Sequence, residues 1–226
     1  MSLFSIGKRF FSKYPWLIKF STRVYNFLNF NCIKGRRDNR VHVGTAFMKK
    51  CKIKINGKNN EIVFGEKCYL TNFRISITGN NCKVVLGDAV CVHDCGICIE
   101  NNGGTVYIGE KTLICGPAHF SCMEGTDIHV GKECLFSSET HLRTGDSHSV
   151  LDMEGNRINP SKSIIIGDRV WLGVRAMCMK GARVANDSIV SAGAVVTKEF
   201  EKTNVAIAGV PAKIVKENIK WCRERI

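Results

Sequence analysis

The stretch from Ile166 to Val196 repeats every six residues and decides the fold: IGDRVW, LGVRAM, CMKGAR, VANDSI, VSAGAV and a final V. The first residue of each hexapeptide is bulky and apolar, and the fifth is mostly small. Neither the period of a strand nor that of a helix produces this spacing. A coil with three short faces does, when the bulky residue points inward and the small residue lies at the corner. The stretch therefore predicts an all-β solenoid, a parallel β-helix in which each turn covers the next.

The same pattern continues upstream with a longer period. Four pairs of an apolar residue and a glycine fall 22 residues apart, at Phe64-Gly65, Leu86-Gly87, Ile108-Gly109 and Val130-Gly131. The extra residues of each turn lie in runs rich in Asn and Gly, which favour tight protruding turns. These runs are 55–60, 77–82, 99–104 and 123–127. We expect the solenoid to extend over residues 41–209, in roughly seven or eight coils.

The length and composition fit one solenoid domain with additions at both ends. Among the 226 residues, no apolar run is long enough to span a membrane, and the start lacks the pattern of a signal peptide. Several of the twelve cysteines occupy inward or corner positions, where cysteine acts as a small hydrophobe, so we expect a reducing, cytoplasmic location. The motif CVHDCGIC (91–98) leaves a metal site as the alternative. It lacks a fourth ligand, so no metal is predicted.

The positive charge is concentrated near the N-terminus. Residues 1–50 contribute +10 of the formal net charge of +13, with eleven Lys or Arg and one acid, Asp38. Aromatic side chains interleave with these charges, so residues 1–40 predict a basic amphipathic segment. Two interpretations stay open: a cap on the first coil or on a neighbouring subunit, and a peripheral contact with an anionic membrane or polymer. Nucleic acid is not expected as a partner, because no binding motif accompanies the charge.

The C-terminal residues 210–226 are expected to form a short helix that folds back on the stack. Gly209 and Pro211 would make the turn into this helix. Its apolar residues are spaced like the buried side of a helix, at Ile214, Val215, Ile219 and Trp221.

The hexapeptide rhythm breaks once, between Val130 and Ile166. The gap is 36 residues where 22 are expected, so residues 143–163 predict a loop that leaves the stack. A rigid solenoid gains nothing structurally from such a loop, and long loops in compact domains are often functional. The loop contains His148, whose side chain is suited to take a proton from a hydroxyl near neutral pH. Its other charged residues include Arg143, Asp146, Asp152 and Arg157.

Four motifs match a known family: RTGDSH (143–148), IIIGDRVWLG (164–173), VSAGAVVTK (190–198) and AGVPAKIVK (208–216). On these motifs the chain resembles the hexapeptide-repeat acyltransferases. It is most similar to the sugar O-acetyltransferases of the galactoside and maltose type, and the bacterial capsule O-acetyltransferases, including those that act on polysialic acid, look similar too. The resemblance implies a left-handed parallel β-helix, a homotrimer with sites between subunits, and acetyl-CoA as the cosubstrate. The implied reaction is direct acetyl transfer to a sugar hydroxyl, without an acyl-enzyme.

The resemblance also implies roles for individual residues. His148 would be the base, with two residues inserted relative to the T-G-H of simpler enzymes, and His141 is the rival. A backbone carbonyl, Asp146 or Glu139 would orient the His148 ring. A backbone N–H near Trp171–Gly173 would hold the developing oxyanion, and the Trp171 ring would stack on sugar or pantetheine. The other residues expected at the site are Val174, Ala192, Thr197 and Lys198 for the pantetheine arm, Lys213 and Lys216 for the CoA phosphates, and Arg143 and Arg157 for the acceptor.

Three other functions are compatible with a solenoid. A metalloenzyme of the carbonic anhydrase kind needs three convergent His ligands at a spacing that this chain lacks. A structural or ice-binding solenoid would show a regular threonine face and no loop. An N-acetyltransferase of an amino sugar nucleotide would use the same base and CoA groove, and it stays open as the alternative. The basic N-terminal segment favours an acidic surface glycan, of capsule or lipopolysaccharide, as the acceptor at the inner face of the membrane.

Overall fold

In the computed structural model, which describes residues 15–224 with side chains from residue 17 onward, one helix and 23 strands form a parallel β-helix of about eight turns. The predicted parallel β-helix is therefore confirmed. The helix, α1, spans Pro15–Leu28 and precedes the first coil. Each complete coil contributes one strand segment to each of three faces, which we name A, B and C in the order in which the chain visits them from Phe47 onward.

The strands of each face pair in parallel, one coil above the next. Two long strands, β6 (Tyr69–Thr78) and β8 (Cys91–Glu100), bend around a corner and serve face A with their first halves and face B with their second halves. The other strands of face A are β3 (Phe47–Lys49), β10 (Leu113–Ile114), β13 (Leu135–Phe136), β16 (Trp171–Leu172), β19 (Ile189–Val190) and β22 (Ala206–Ala208). Those of face B are β1 (Cys32–Lys34), β4 (Lys52–Asn56), β11 (Ala118–Met123), β14 (Thr140–Arg143), β17 (Met177–Met179) and β20 (Val195–Val196). Face C consists of β2 (Arg40–His42), β5 (Glu61–Phe64), β7 (Lys83–Leu86), β9 (Thr105–Ile108), β12 (Asp127–Val130), β15 (Ile164–Ile166), β18 (Arg183–Val184) and β21 (Glu199–Phe200).

The bulky hexapeptide position fills the core, as the repeat predicts. On face C, Leu86, Ile108 and Val130 lie directly above one another, and each is at most 1% exposed. The small position lies at the corners, where Cys68 and Cys134 are completely buried. Burial raises the pKa of each of these two thiols to about 11, so both behave as small apolar side chains. All twelve cysteines are free.

One glycine column is required by the close approach of successive coils. A Cβ placed on Gly109 would lie 2.5 Å from the carbonyl carbon of Gly131, and one on Gly131 would lie 2.6 Å from that of Gly167. Real Cβ atoms do not approach backbone so closely, so the glycines that recur in the sequence mark the corner where the coils touch. Within the same corner, Lys111 and Glu133 adopt positive φ angles of 56° and 57°, which turns the chain sharply.

The expected C-terminal helix is wrong. The chain turns at Gly209 and forms β23 (Lys213–Lys216), which pairs antiparallel with β22 through Ile207 and Ile214. No helix follows among the residues up to 224. The apolar residues that suggested a helical face instead lie along face A. The indole N–H of Trp221, for example, donates to the carbonyl of Arg169 at 2.7 Å. The last full coil leaves strand groups unpaired, and β23 satisfies part of this edge.

At the other end, α1 lies against β3 and covers the first coil. The side-chain amide of Asn26 donates to the carbonyl of Ala46 at 2.9 Å and accepts from the N–H of Met48 at 2.7 Å. Asn31 binds the carbonyl of Met48 and the N–H of Cys51 in the same way. Residues 1–14 of the predicted basic segment lie outside the described part of the chain. Between residues 15 and 224, no helix is long and apolar enough to cross a bilayer.

Candidate active site

The predicted loop leaves face B at Arg143, the end of β14, and rejoins the stack on face C at Ile164. Its two ends are joined at the base, where the N–H of Lys162 donates to the carbonyl of Thr144 at 2.9 Å. Further out, Leu151 and Arg157 form an antiparallel bridge. The loop is therefore a short hairpin with its own hydrogen bonds, built at the corner between faces B and C.

Asn159 is the centre of the hydrogen bonding inside this loop. Its side-chain amide donates to the carbonyl of His148 and to the carboxylate of Asp146, both at 2.8 Å. Its side-chain oxygen accepts from the N–H of Val150 at 2.7 Å and from Nε of Arg157 at 3.2 Å. Asn159 is only 7% exposed, so water does not replace these bonds readily. The backbone on both sides of His148 is thereby fixed.

The loop is also bound to the coils above and below it. Lys180, which follows β17 in the coil above, pairs with Asp146 at 2.5 Å. Glu124, in the coil below, pairs with Arg157 at 2.7 Å and accepts from the N–H of Ser161 at 3.1 Å. The Arg157 guanidinium and Ser161 lower the pKa of Glu124 to about 2. These contacts hold the loop in one position relative to the solenoid.

Three residues expected at the site, Asp146, Arg157 and Arg143, instead make contacts that hold the loop in place. Asp146 was expected to orient the His148 ring, but its carboxylate binds Lys180 and Asn159, and the hydrogen bond from Lys180 lowers its pKa. Arg157 is bound to Glu124. Arg143 donates to the carbonyl of Gly145 at 3.0 Å and to Oγ of Ser147 at 2.5 Å. The expected acceptor contacts of the two arginines stay predictions.

The two candidate bases differ in their surroundings. His148 is exposed, and Ser147 just before it adopts a φ of 65°, which non-glycine residues rarely do. His141 lies within β14 on face B, half-buried, with its ring stacked 5.2 Å from that of His119. Burial, and then the neighbouring His119, lower the pKa of His141. Glu139, the other carboxylate expected near the base, pairs with Arg175 at 2.7 Å. In the described part of the chain, therefore, neither Asp146 nor Glu139 is hydrogen-bonded to the ring of His148.

Trp171 lies on a different face from the loop. It belongs to β16 on face A, one coil above, and its indole N–H donates to Oγ of Ser137 at 3.1 Å. Its ring centroid is 6.1 Å from that of Trp221 in the C-terminal segment. The N–H groups of Trp171 and Gly173 donate to carbonyls of the next coil, at 3.0 and 2.7 Å. These two donors are therefore not free to hold an oxyanion. The adjacent N–H of Val174 donates to no group among residues 15–224, so an oxyanion contact near this turn stays a prediction.

The residues expected to bind CoA border the upper part of face B. Val174 and Ala192 follow β16 and β19 and occupy successive coils at the corner between faces A and B. Among residues 15–224 their N–H groups donate to no other group, so both can serve a ligand. Thr197 and Lys198 are exposed at the opposite corner of the same face. Lys213 and Lys216 are exposed on β23, opposite Ala208 and Ala206.

Sequence reasoning missed the residues that hold the loop, namely Asn159, Lys180 and Glu124. No periodic signal marks them, because Lys180 is 34 residues from Asp146, and Glu124 is 37 residues from Ser161. Stacking of the coils brings each pair together. The one available signal was that the residues on both sides of an excursion in a solenoid lie directly above and below it.

The chain is similar to known acetyltransferases. No family model matches the chain. It is 36% identical over 98 residues to the polysialic acid O-acetyltransferase of Escherichia coli O1:K1 / APEC, which covers 43% of this chain and 32% of that protein. It is 33% identical over 110 residues to the polysialic acid O-acetyltransferase of Neisseria meningitidis, which covers 48% of this chain and 51% of the relative. The matched part thus spans about a third to a half of these curated relatives.

Two solved structures match over much more of the chain. The polysialic acid O-acetyltransferase OatWY superposes with a TM-score of 0.82 at 31% identity, over 87% of this chain and 92% of that one. The polySia-specific acetyltransferase NeuO superposes with a TM-score of 0.77 at 29% identity, over 86% of this chain and 87% of that one. Fold, loop and likeness together define the class: the chain belongs to the hexapeptide-repeat acetyltransferases with a left-handed β-helix. Within that family it is similar to the polysialic acid O-acetyltransferases.

Proposed function

We propose that the protein transfers an acetyl group from acetyl-CoA to a hydroxyl of an acidic surface polysaccharide. The observation that carries this proposal is the likeness to OatWY, at 31% identity over 92% of that chain. The loop around His148 supports it, because three separate contacts hold the loop, and with it the backbone of His148, at the end of face B.

Face B offers a long polar path that leads to the loop. Its outward side chains repeat once per coil, and the coils are about 4.8 Å apart. From Lys52 to His141 the path crosses four coils, or about 19 Å, which is enough to contact several sugar units. The start of the path is basic, as an acidic polymer requires. In register, the two columns are Lys52, Arg74, Gly96, His119 and His141, and Lys34, Lys54, Ser76, Cys98, Ser121 and Arg143.

His148 acts as the general base in this proposal. Its neutral imidazole accepts the proton of the acceptor hydroxyl while the oxygen attacks the thioester carbonyl. The carbon–sulfur bond then breaks, and the imidazolium returns the proton to the departing CoA thiolate. Asn159 binds the backbone carbonyl of His148. Because the backbone is fixed, the ring reaches the acceptor from one defined position. The products are an O-acetyl ester and free CoA, without an acyl-enzyme.

Acetyl-CoA is proposed to lie against the corner that carries Val174 and Ala192, whose free N–H groups can bind the pantetheine carbonyls. Lys213 and Lys216 are proposed to contact the CoA phosphates. Both are point charges on flexible side chains, so they supply attraction without the fork geometry of arginine. We propose that the reaction takes place in the cytoplasm, where cysteines such as the twelve of this chain stay reduced.

The active unit is proposed to be a homotrimer. His148 and Trp171 lie on different faces of one chain, so a site that uses both needs a second copy. The loop also exposes apolar side chains that a neighbouring subunit would cover, because such patches are unusual on a free surface. These residues are Val150, Leu151, Met153 and Ile158, at 50%, 56%, 97% and 59% exposure.

A panel of acceptors tests the proposal. The purified protein is incubated with acetyl-CoA and polysialic acid, a neutral polysaccharide, free sialic acid or an amino sugar nucleotide, and release of free thiol is followed. Release with polysialic acid, at a higher rate than with the free sugar, is the expected result. Release only with the amino sugar nucleotide would contradict the proposal and establish the N-acetyltransferase alternative.

A further inference from the structure

Helix α1 (Pro15–Leu28) presents its polar side to the protein. Thr22 is 2% exposed, and Ser21 beside it is half-buried. Asn26, one turn further, makes two hydrogen bonds to the backbone of the first coil. A surface helix of a globular protein normally does the reverse, with its apolar stripe against the core. The contact of α1 with the solenoid is therefore made by hydrogen bonds, by small side chains and by the ring of Tyr25, whose centroid lies 5.4 Å from that of Phe47.

The apolar side of the same helix faces outward. Phe20 is 63% exposed and Phe27 is 88% exposed, and Val24 lies between them on the same side. Leu28 and, just beyond the helix, Phe30 extend this surface, at 66% and 85% exposure. A contiguous group of exposed aromatic and aliphatic side chains marks a surface that binds something.

Positive charge surrounds this apolar face. Lys19 and Arg23 are exposed on α1 itself, one turn apart. Residues 17–58 contain eleven Lys or Arg and a single acid, Asp38. Of the eleven, Arg40 alone has an ion pair among the described residues, with Glu61 at 3.2 Å. The end of the solenoid that carries α1 therefore combines an apolar stripe with an almost uncompensated basic surface.

We propose that this face, formed by the outward side of α1 and the basic residues around it, docks on the surface of an anionic lipid bilayer. A helix of 14 residues is about 21 Å long, and its apolar side chains are suited to lie in the headgroup region, parallel to the membrane. The basic residues would contact the anionic headgroups. Each such residue adds to the attraction near a negatively charged leaflet.

Two other occupants fit this face less well. A second copy of the chain would bring two strongly basic surfaces together, and like charges repel. An acidic glycan would satisfy the charges, but Val24 and Leu28 would gain nothing from a hydrophilic polymer. The anionic bilayer satisfies the charged and the apolar side chains at once.

Co-sedimentation of the full chain with lipid vesicles tests this proposal. The protein is expected to bind vesicles of phosphatidylcholine mixed with phosphatidylglycerol, and to remain in solution with phosphatidylcholine alone. Added salt should release it, because screening weakens the attraction of the basic residues. The double variant Phe20→Ser/Phe27→Ser should lower the partition coefficient at least about tenfold, since two large apolar side chains no longer enter the headgroup region.

The matched control is Val215→Ser, which removes an exposed apolar side chain at the opposite end of the solenoid and should leave vesicle binding unchanged. Equal binding to neutral and anionic vesicles would overturn the proposal, as would unchanged binding of the double variant. A loss of oligomer mass in Phe20→Ser/Phe27→Ser would assign the face to a second copy. If the native protein bound polysialic acid but no vesicles, and the double variant lost the polysialic acid, the face would be assigned to the glycan. Neither result would bear on acetyl transfer to a soluble acceptor, so the proposed function stands or falls separately.

Discussion

Among the described residues, Asn159 is the one side chain that binds the backbone carbonyl of His148, at 2.8 Å. We expect Asn159→Ala to lower kcat for acetyl transfer about tenfold, because the base loses its fixed position. The KM for acetyl-CoA should stay unchanged, since Asn159 does not border the CoA corner. Steady-state kinetics on a soluble acceptor checks this split.

Asn156→Ala is the control for that variant. Asn156 lies in the same loop, is exposed and bonds only with Asp152, so its loss should leave kcat within about twofold, since surface substitutions usually have small effects. An unchanged kcat in Asn159→Ala would contradict the positioning role. If kcat fell together with the melting temperature, Asn159 would stabilise the fold and would not position the base.

Among the elements, β23 carries the two lysines proposed to meet the CoA phosphates. We expect Lys213→Ala/Lys216→Ala to raise the KM for acetyl-CoA about tenfold with little change in kcat, because the charges serve binding in the ground state and the transition state alike. Lys220→Ala, an exposed lysine beyond β23, is the matched control. The same kinetics in the double variant and in the control would remove both lysines from the site.

The glycine column tests the stacking of the coils. A methyl group on Gly131 would lie 2.6 Å from the backbone of Gly167, and backbone on both sides cannot move away without separating two coils. Gly131→Ala should therefore destabilise the fold by about 3 kcal/mol or more. Gly155→Ala, in the loop, has a φ of 86° but nothing within 4 Å, so it should cost about 1 kcal/mol. Chemical denaturation of both variants compares the two costs, and equal costs would contradict a tight contact at this corner.

The coils could be predicted from the sequence, but the C-terminal strand and the contacts between coils could not. The hexapeptide repeat determines each coil locally, so the core and corner positions could be predicted one residue at a time. The C-terminal segment has no repeat. Its apolar spacing is compatible with a helix, and equally with a strand followed by an irregular segment. The unpaired edge of the last coil decides between them, and this edge exists only once the stack is formed. Lys180 and Glu124 could not be predicted for the same reason, because their partners lie a coil away.

At the scale of the whole molecule, the proposed site uses both Trp171 and His148, which lie on different faces, and the proposal therefore needs a second copy of the chain. Light scattering at micromolar concentration should give about three times the mass of one 25.2 kDa chain. Leu151→Ser/Met153→Ser should weaken the assembly, because two apolar side chains of the loop lose their cover. Val215→Ser, exposed on β23, serves as the control. A monomeric mass for the native chain would contradict the shared site.

The two ends of the solenoid have different charge and different tasks in this account. The basic end carries α1, and the upper coils carry the CoA corner and the loop, about 19 Å further along face B. An acidic polymer attached near the membrane would therefore follow the basic path towards His148. The sequence predicted the charge asymmetry, but the outward direction of the aromatic side chains of α1 appears only in the structure.

Acetylation of polysialic acid by His148→Ala and His141→Ala, measured side by side with the native protein, decides which histidine is the base. We expect His148→Ala to lose at least about a hundredfold in rate through loss of the base, with its melting temperature unchanged. His141→Ala should retain most of the activity. An active His148→Ala variant beside an inactive, folded His141→Ala variant would move the base from the loop to face B.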